Sequence, residues 1–224
     1  MTDTPQTLVQ RGYDEIAETY LQWATQKETP RPAQLQLLLR ELGPAVAPSA
    51  HVLELGCGAG VPGTQILSRA CGRVVANDIS TAQMRLARTH IGTADTNVEF
   101  MPGDMTQLSF HDGSFQAVVA LYSIIHLPRD DQRAMFRRAY AWLAPGGLLL
   151  CNLGTSEDDE GEGSVASWLG TQMYWSQCGP EANARMVAEA GFDVVRNTII
   201  EEEEDGRVIP FQWILARKQG ELAT

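Results

Sequence analysis

His51-Val52-Leu53-Glu54-Leu55-Gly56-Cys57-Gly58-Ala59-Gly60 is the stretch on which the reading of the whole chain turns. His51 to Leu55 is a short apolar run of the kind that forms a strand buried on both faces, and it empties into glycines at every second position. Glycine there permits positive φ and lets a ligand lie against bare backbone. One residue breaks the apolar run. Glu54 stands two places before the first glycine, where a carboxylate is costly to bury unless it meets hydrogen-bond donors or a cation. In an α/β sheet, ligands bind at the carboxyl edge of the strands, which is where this loop falls.

Outward from that loop, apolar strands and amphipathic helices alternate. Downstream, Pro62 lies near the first position of a helix, Arg73 to Asn77 is a strand ending at Asp78, and Ser80 caps a helix through Met84, Leu86 and Ile91. Asn97 to Met101 and Phe115 to Leu121 are further strands. Pro128 starts a helix, Pro145-Gly146-Gly147 turns the chain, and Leu148 to Asn152 is a fifth strand. Glu181 to Ala190 is helical with Gly191 as its stop, and Phe192 to Ile200 and Arg207 to Ala216 flank the hairpin signal Asp205-Gly206. Upstream, Thr7 is an N-cap for a helix carrying Leu8, Ile16, Tyr20 and Trp23, and Pro32 opens a second helix that Gly43-Pro44 stops. The pattern predicts one doubly wound, Rossmann-like α/β domain with a seven-stranded, mostly parallel sheet and an antiparallel C-terminal hairpin strand. Residues 1–48 form a helical cap, 49–152 the ligand-binding core, 153–180 a lid, and 181–217 the last helix and the hairpin.

Composition narrows the function. The chain has 224 residues, 44% of them hydrophobic, enough for a core without staples. Its 17 basic and 28 acidic residues give a formal charge of −11, which disfavours nucleic acid and anionic membranes as partners. Ten of the acids lie in two runs, 157–162 and 201–205, and both runs read as solvated loops. The cysteines at 57, 71, 151 and 178 form no CxxC pair and carry no histidine at metal-ligand spacing, so neither a metal site nor a disulfide framework is expected. The amino terminus has no leader pattern and no apolar run is long enough to span a bilayer, which places the protein in the cytoplasm, as a monomer or homodimer.

Three carboxylates follow three successive strands: Glu54, Asp78 and Asp104. Asp78 suits a ribose diol, Asp104 an adenine amino group, and Glu54 an α-ammonium. Gly58-x-Gly60-x-x-Gly63 with Asp78 twenty residues on also reads as a dinucleotide fingerprint, so an NAD-type oxidoreductase stays open on the glycines alone.

In Val52 to Gly60, Asp78-Ile79-Ser80 with Met84, Gly103-Asp104-Met105 and Leu143-Ala144-Pro145-Gly146-Gly147, the sequence resembles the class I S-adenosylmethionine-dependent methyltransferases, in particular the small-molecule branch called the type 11 methyltransferase domain. The resemblance covers roughly residues 50 to 155. It implies S-adenosylmethionine as cofactor, with Gly56, Cys57, Gly58 and Gly60 along the methionine moiety, Asp78 on the ribose, Ile79 and Met105 about adenine, and Asp104 on its amino group. It extends the cofactor set to Met84 and Leu121. Tyr13-Asp14-x-Ile16-Ala17-x-x-Tyr20 is similar to a helix of these enzymes whose second tyrosine reaches the cofactor carboxylate, which implies that role for Tyr20. After the fourth strand stands Leu121-Tyr122-Ser123-Ile124 rather than the Asn/Asp-Pro-Pro-Tyr of enzymes that methylate nucleobase and glutamine nitrogens. That points to oxygen or sulfur, and less to nitrogen, of a small molecule.

His126 follows the fourth strand and is the candidate base; His51, His90 and His111 lie at an element end or turn. Tyr13, Trp23, Tyr122, Trp168, Met173, Tyr174 and Trp175 are the candidate acceptor-binding residues, the last four from the long segment 153–180. A cofactor-binding subunit without catalysis would share the same glycine loop.

Overall fold

The computed structural model describes residues 3–92, 97–156, 163–204 and 206–220. The acidic run 157–162 and Asp205 lie outside the described residues. In chain order the elements are α1 (Pro5–Glu15), α2 (Ala17–Thr25), α3 (Arg31–Leu42), β1 (His51–Leu55), α4 (Gly63–Ala70), β2 (Arg73–Asp78), α5 (Thr81–Ile91), β3 (Val98–Pro102), β4 (Phe115–Ala120), α6 (Arg129–Trp142), β5 (Leu143–Gly154), β6 (Ser164–Trp168), β7 (Thr171–Trp175), α7 (Pro180–Glu189), β8 (Phe192–Glu204) and β9 (Arg207–Lys218).

The main sheet has the order β3-β2-β1-β4-β5-β9-β8. β1 pairs in parallel with β2 and β4, and the order reverses there, because β2 and β3 lie to one side of β1 while β4 and β5 lie to the other. A crevice opens at such a reversal, beyond the carboxyl ends of β1 and β4. β9 runs antiparallel between β5 and β8, closing the sheet with the predicted hairpin. The apolar runs explain the burial. Val52, Leu53 and Leu55 of β1, Val118 and Val119 of β4, and Leu148 to Leu150 of β5 are all buried, packed between helices on both faces. Among the described residues no helix is long and apolar enough to cross a membrane.

Local expectations shift in three places. Thr4, not Thr7, caps α1: its side chain accepts the Thr7 N–H, and Pro5 takes the first helical position. The first predicted helix is two, because Ile16 leaves helical geometry at φ −104° and ψ 11°. Beyond β5, the described residues of the segment 153–180 form a second, two-stranded sheet of β6 and β7, which the sequence pattern does not signal. Met173 and Tyr174 of β7 pack with Val9 and Ile16 into a small cluster separate from the main core. Gly12 of α1 sits against β7 so closely that an added Cβ would lie 2.9 Å from Met173 Cε and 3.0 Å from the Gln172 carbonyl.

Candidate functional site

A cavity lies over the carboxyl ends of β1, β2 and β4, roofed by α1 and α2. The glycine loop forms its floor, and Asp78, Ile79, Asp104, Met105 and Leu121 line it. Gly56 takes φ +75°, and a Cβ there would stand 2.3 Å from the Cβ of Ser123, whose hydroxyl donates to the Leu55 carbonyl at 2.8 Å. The loop and the end of β4 are therefore in backbone-to-side-chain contact that only glycine permits. Asp78 accepts the Gly58 N–H at 2.8 Å and the Ser80 N–H at 2.9 Å, so one carboxylate fixes the loop and the start of α5 together. Burial pushes its pKa up to about 6 against those two donors.

Glu54 is 5% exposed and receives the Thr64 hydroxyl at 2.6 Å. Burial outweighs that bond and raises its pKa to about 7, the state of a carboxylate short of a cationic partner. Gly63, which completes the dinucleotide-like spacing, has another use: a Cβ at this position would lie 2.2 Å from Glu54 Oε1. The third glycine of that spacing makes room for a carboxylate, which a dinucleotide loop does not need. Gly60 packs on Ile91, and Met84 lies beneath the loop with its sulfur 3.8 Å from Cys57 Sγ; both support the floor without facing the cavity.

The sequence reading missed several residues in or beside this cavity; Arg31 and Gln83 line it, and Asp14 and Glu202 stand behind its wall. Asp14 accepts the Ser80 hydroxyl at 2.6 Å and the Ala82 N–H at 2.9 Å, tying α1 to the start of α5 over the ligand edge. Arg31, at the start of α3, donates to Tyr20 Oη at 3.0 Å and lies 4.3 Å above the Tyr122 ring, with its Nε unpartnered. Gln83 lines the cavity fully buried, and neither its amide oxygen nor its nitrogen has a partner. A polar residue inside a helix carries no signal by itself. Glu202 corrects the reading of 201–205 as solvated: it is only 9% exposed and receives the Tyr122 hydroxyl, its oxygens at 2.8 and 2.6 Å. β8 extends to Glu204, and strand alternation turns Glu202 inward between outward-facing Glu201 and Glu203.

His126 and Tyr13 both line the cavity. His126 Nδ1 lies 2.7 Å from the Tyr174 carbonyl and Nε2 lies 2.9 Å from Tyr13 Oη. A carbonyl only accepts, so Nδ1 carries the proton and Nε2 takes the Tyr13 hydroxyl. Burial pushes the histidine down to about 4, so it is neutral at pH 7. Both ring nitrogens are thus engaged. Nε2 is occupied by the hydroxyl of Tyr13, whose own pKa burial raises.

Trp23 of α2 and Trp168 of β6 form a wall behind Tyr13 and Tyr20. Trp168 lies edge-on to Tyr13, Tyr20 and Trp23, and Trp23 stacks on Tyr20, while Tyr174 contributes its carbonyl. Trp23, Trp168, Met173, Tyr174 and Trp175 do not themselves line the cavity, whereas Tyr122 does.

These residues fit S-adenosylmethionine. The orphaned Arg31 Nε and Gln83 amide, the under-paired Glu54 and the glycine-bared floor together offer partners for a carboxylate, an ammonium and a ribose at one place. A reversed-hairpin α/β sheet with this set of strand-end acids is the arrangement that the sequence's resemblance to class I methyltransferases implies. The chain matches the methyltransferase domain family over residues 52–147. It is 28% identical over 148 residues to phosphoethanolamine N-methyltransferase 3 of Arabidopsis thaliana, covering 66% of this chain and 30% of that protein. It is 27% identical over 215 residues to the 27-O-demethylrifamycin SV methyltransferase of Amycolatopsis mediterranei, covering 90% and 72%. The chain thus spans less than a third of the length of the plant relative. Its fold is similar to that of the 1,6-didemethyltoxoflavin-N1-methyltransferase of Burkholderia thailandensis, solved with 1,6-didemethyltoxoflavin and S-adenosylhomocysteine, at a TM-score of 0.74 and 19% identity over 98% of this chain and 92% of the other.

Proposed function

We propose that the protein transfers a methyl group from S-adenosylmethionine to an oxygen or sulfur, less readily a nitrogen, of an apolar or aromatic small molecule. The observation that carries this reading is the Tyr13–His126 pair, which stands in the same cavity as the cofactor floor, among Val9, Leu21, Ala24 and Leu127. When bound, the cofactor supplies an electrophilic methyl group on a sulfonium whose departing bond returns its electron pair to sulfur.

The chain's residues would then have distinct tasks. Asp78 would receive the ribose hydroxyls, Ile79, Met105 and Asp104 would hold adenine, Glu54 would meet the ammonium, and Tyr20 with Arg31 would hold the carboxylate. Tyr13 spends its hydroxyl proton on His126 Nε2, so its oxygen keeps lone pairs for the X–H of an acceptor. His126 passes orientation from the Tyr174 carbonyl to that oxygen. Burial raises the Tyr13 phenol and lowers His126, so neither ionises beforehand, and the proton moves to Tyr13 and on to His126 as the new bond forms. The apolar walls keep water from the methyl group and the nucleophile on axis.

The test is turnover with S-adenosylmethionine across phenols, thiols and amines, read by mass as the gain of one methyl group. Tyr13→Phe should lower kcat for phenols by about 10²-fold or more, with cofactor affinity unchanged. Tight binding of S-adenosylhomocysteine with no methylated product from any acceptor would replace this reading by that of a binding subunit.

A further inference from the structure

At the carboxylate end of the cavity, a residue from the far end of the chain stands behind the wall. Glu202 does not line the cavity, yet it receives the hydroxyl of Tyr122, which does. Tyr122 occupies a demanding position: it is a non-glycine residue at φ +53°, immediately after β4, where an L side chain persists only when its surroundings over-determine it. Three kinds of contact do so. Its N–H donates to Asn152 Oδ1 at 2.6 Å, its ring meets the edges of Phe211 and Trp213 at 5.1 and 5.7 Å, and its hydroxyl meets Glu202.

That ring is the platform on which the Arg31 guanidinium rests, 4.3 Å from its centroid. Arg31 is a long side chain that also donates to the Tyr20 hydroxyl, and its Nε is buried without a partner. Tyr20 in turn stands over the glycine loop, its Cε1 3.9 Å from where a Cβ on Gly58 would be. Glu202, Tyr122, Arg31 and Tyr20 therefore form a continuous chain from the C-terminal hairpin to the floor on which the amino-acid end of the cofactor would lie.

We propose that Glu202 is a positioning residue for the carboxylate subsite, acting by tethering Tyr122 so that its ring fixes where the Arg31 guanidinium stands. This rests on the cofactor reading above and deepens it: the hairpin becomes part of the binding site without touching the ligand. The tether is a hydrogen bond from a phenol, so a glutamine, whose amide oxygen still accepts, preserves it, and an alanine removes it. Removing the Tyr122 hydroxyl cuts the same link from the other side.

The experiment is calorimetric titration of the full chain and its variants with S-adenosylmethionine and with decarboxylated S-adenosylmethionine, which lacks only the carboxylate. Glu202→Ala and Tyr122→Phe should each weaken S-adenosylmethionine by about tenfold while leaving the decarboxylated ligand within about twofold of wild type. Glu202→Gln should stay close to wild type for both. If Glu202→Ala weakened both ligands by the same factor, its role would be general stability and the proposal would fail; it would fail equally if Glu202→Ala and Tyr122→Phe left both ligands unchanged. Wild-type protein that bound neither ligand would overturn the cofactor reading itself, a result separable from indifferent variants of a binding-competent protein.

Discussion

Glu54→Gln should make the ligand-free protein more stable, and by an amount that depends on pH. Glu54 is buried with one hydrogen-bond donor, and its pKa is raised from the ordinary 4.5 to about 7. Between those values the folded protein binds more protons than the unfolded chain, so stability falls as pH rises through that window. The gap corresponds to about 3.4 kcal/mol when the group is fully ionised, nearly all of it present at pH 8. At pH 5 the folded carboxyl is protonated and less than about 1 kcal/mol remains. Glutamine cannot ionise, so whatever its amide costs in that site is the same at both pH values. The difference between variant and wild type should therefore grow by about 2.5 kcal/mol from pH 5 to pH 8, or about 5–10 °C in Tm for a domain of this size. Paired thermal melts of the ligand-free proteins at the two pH values measure it directly. Parallel curves, with the variant displaced equally at pH 5 and pH 8, would refute the claim that Glu54 carries a buried ionisation held in reserve for a cation.

The same carboxylate sets cofactor affinity. Wild-type binding of S-adenosylmethionine should weaken about tenfold between pH 8 and pH 6 as Glu54 protonates, and calorimetry should find that dependence flattened in Glu54→Gln. Gln83→Met, which removes two unpartnered buried polar atoms at similar volume, should raise ligand-free stability by about 1–3 kcal/mol while lowering cofactor affinity, read by melts and titration on the same preparation. Gly56→Ala places a Cβ against Ser123 on a φ of +75°, and should cost at least about 2 kcal/mol in denaturant unfolding as well as binding.

The cofactor edge was legible because each of its acids ends or interrupts an apolar run, where a charge needs a reason. Glu54 within β1, Asp78 at the end of β2 and Asp104 after β3 could be placed from period and punctuation alone, and all three face the cavity. Arg31 and Glu202 could not. Arg31 sits at a helix start beside prolines, where a basic residue is ordinary, and its importance comes from the ring of Tyr122 beneath it. Glu202 lies in a run of four glutamates that composition assigns to water; only the two-residue alternation of β8 separates it from Glu201 and Glu203, and β-strand continuation through such a run has little local support. His126 was found by its place after β4, but its partners, Tyr13 and the Tyr174 carbonyl, stand 113 residues before it and 48 after it, so the pairing of both ring nitrogens could not be read from spacing.

The close seating of Gly12 on β7, reinforced by the Thr171 hydroxyl donating to Glu15 at 2.7 Å, has a consequence for rebuilding the protein. The first helix and the β6–β7 hairpin are keyed to each other by shape, with no space for a side chain between them. A chimera that imports a foreign hairpin to alter which acceptors are taken must import the matching amino-terminal helix as well. The unit of exchange is a pair of segments joined across the fold, and single-segment grafts should be recovered as poorly folded protein, whatever their sequence identity to the donor.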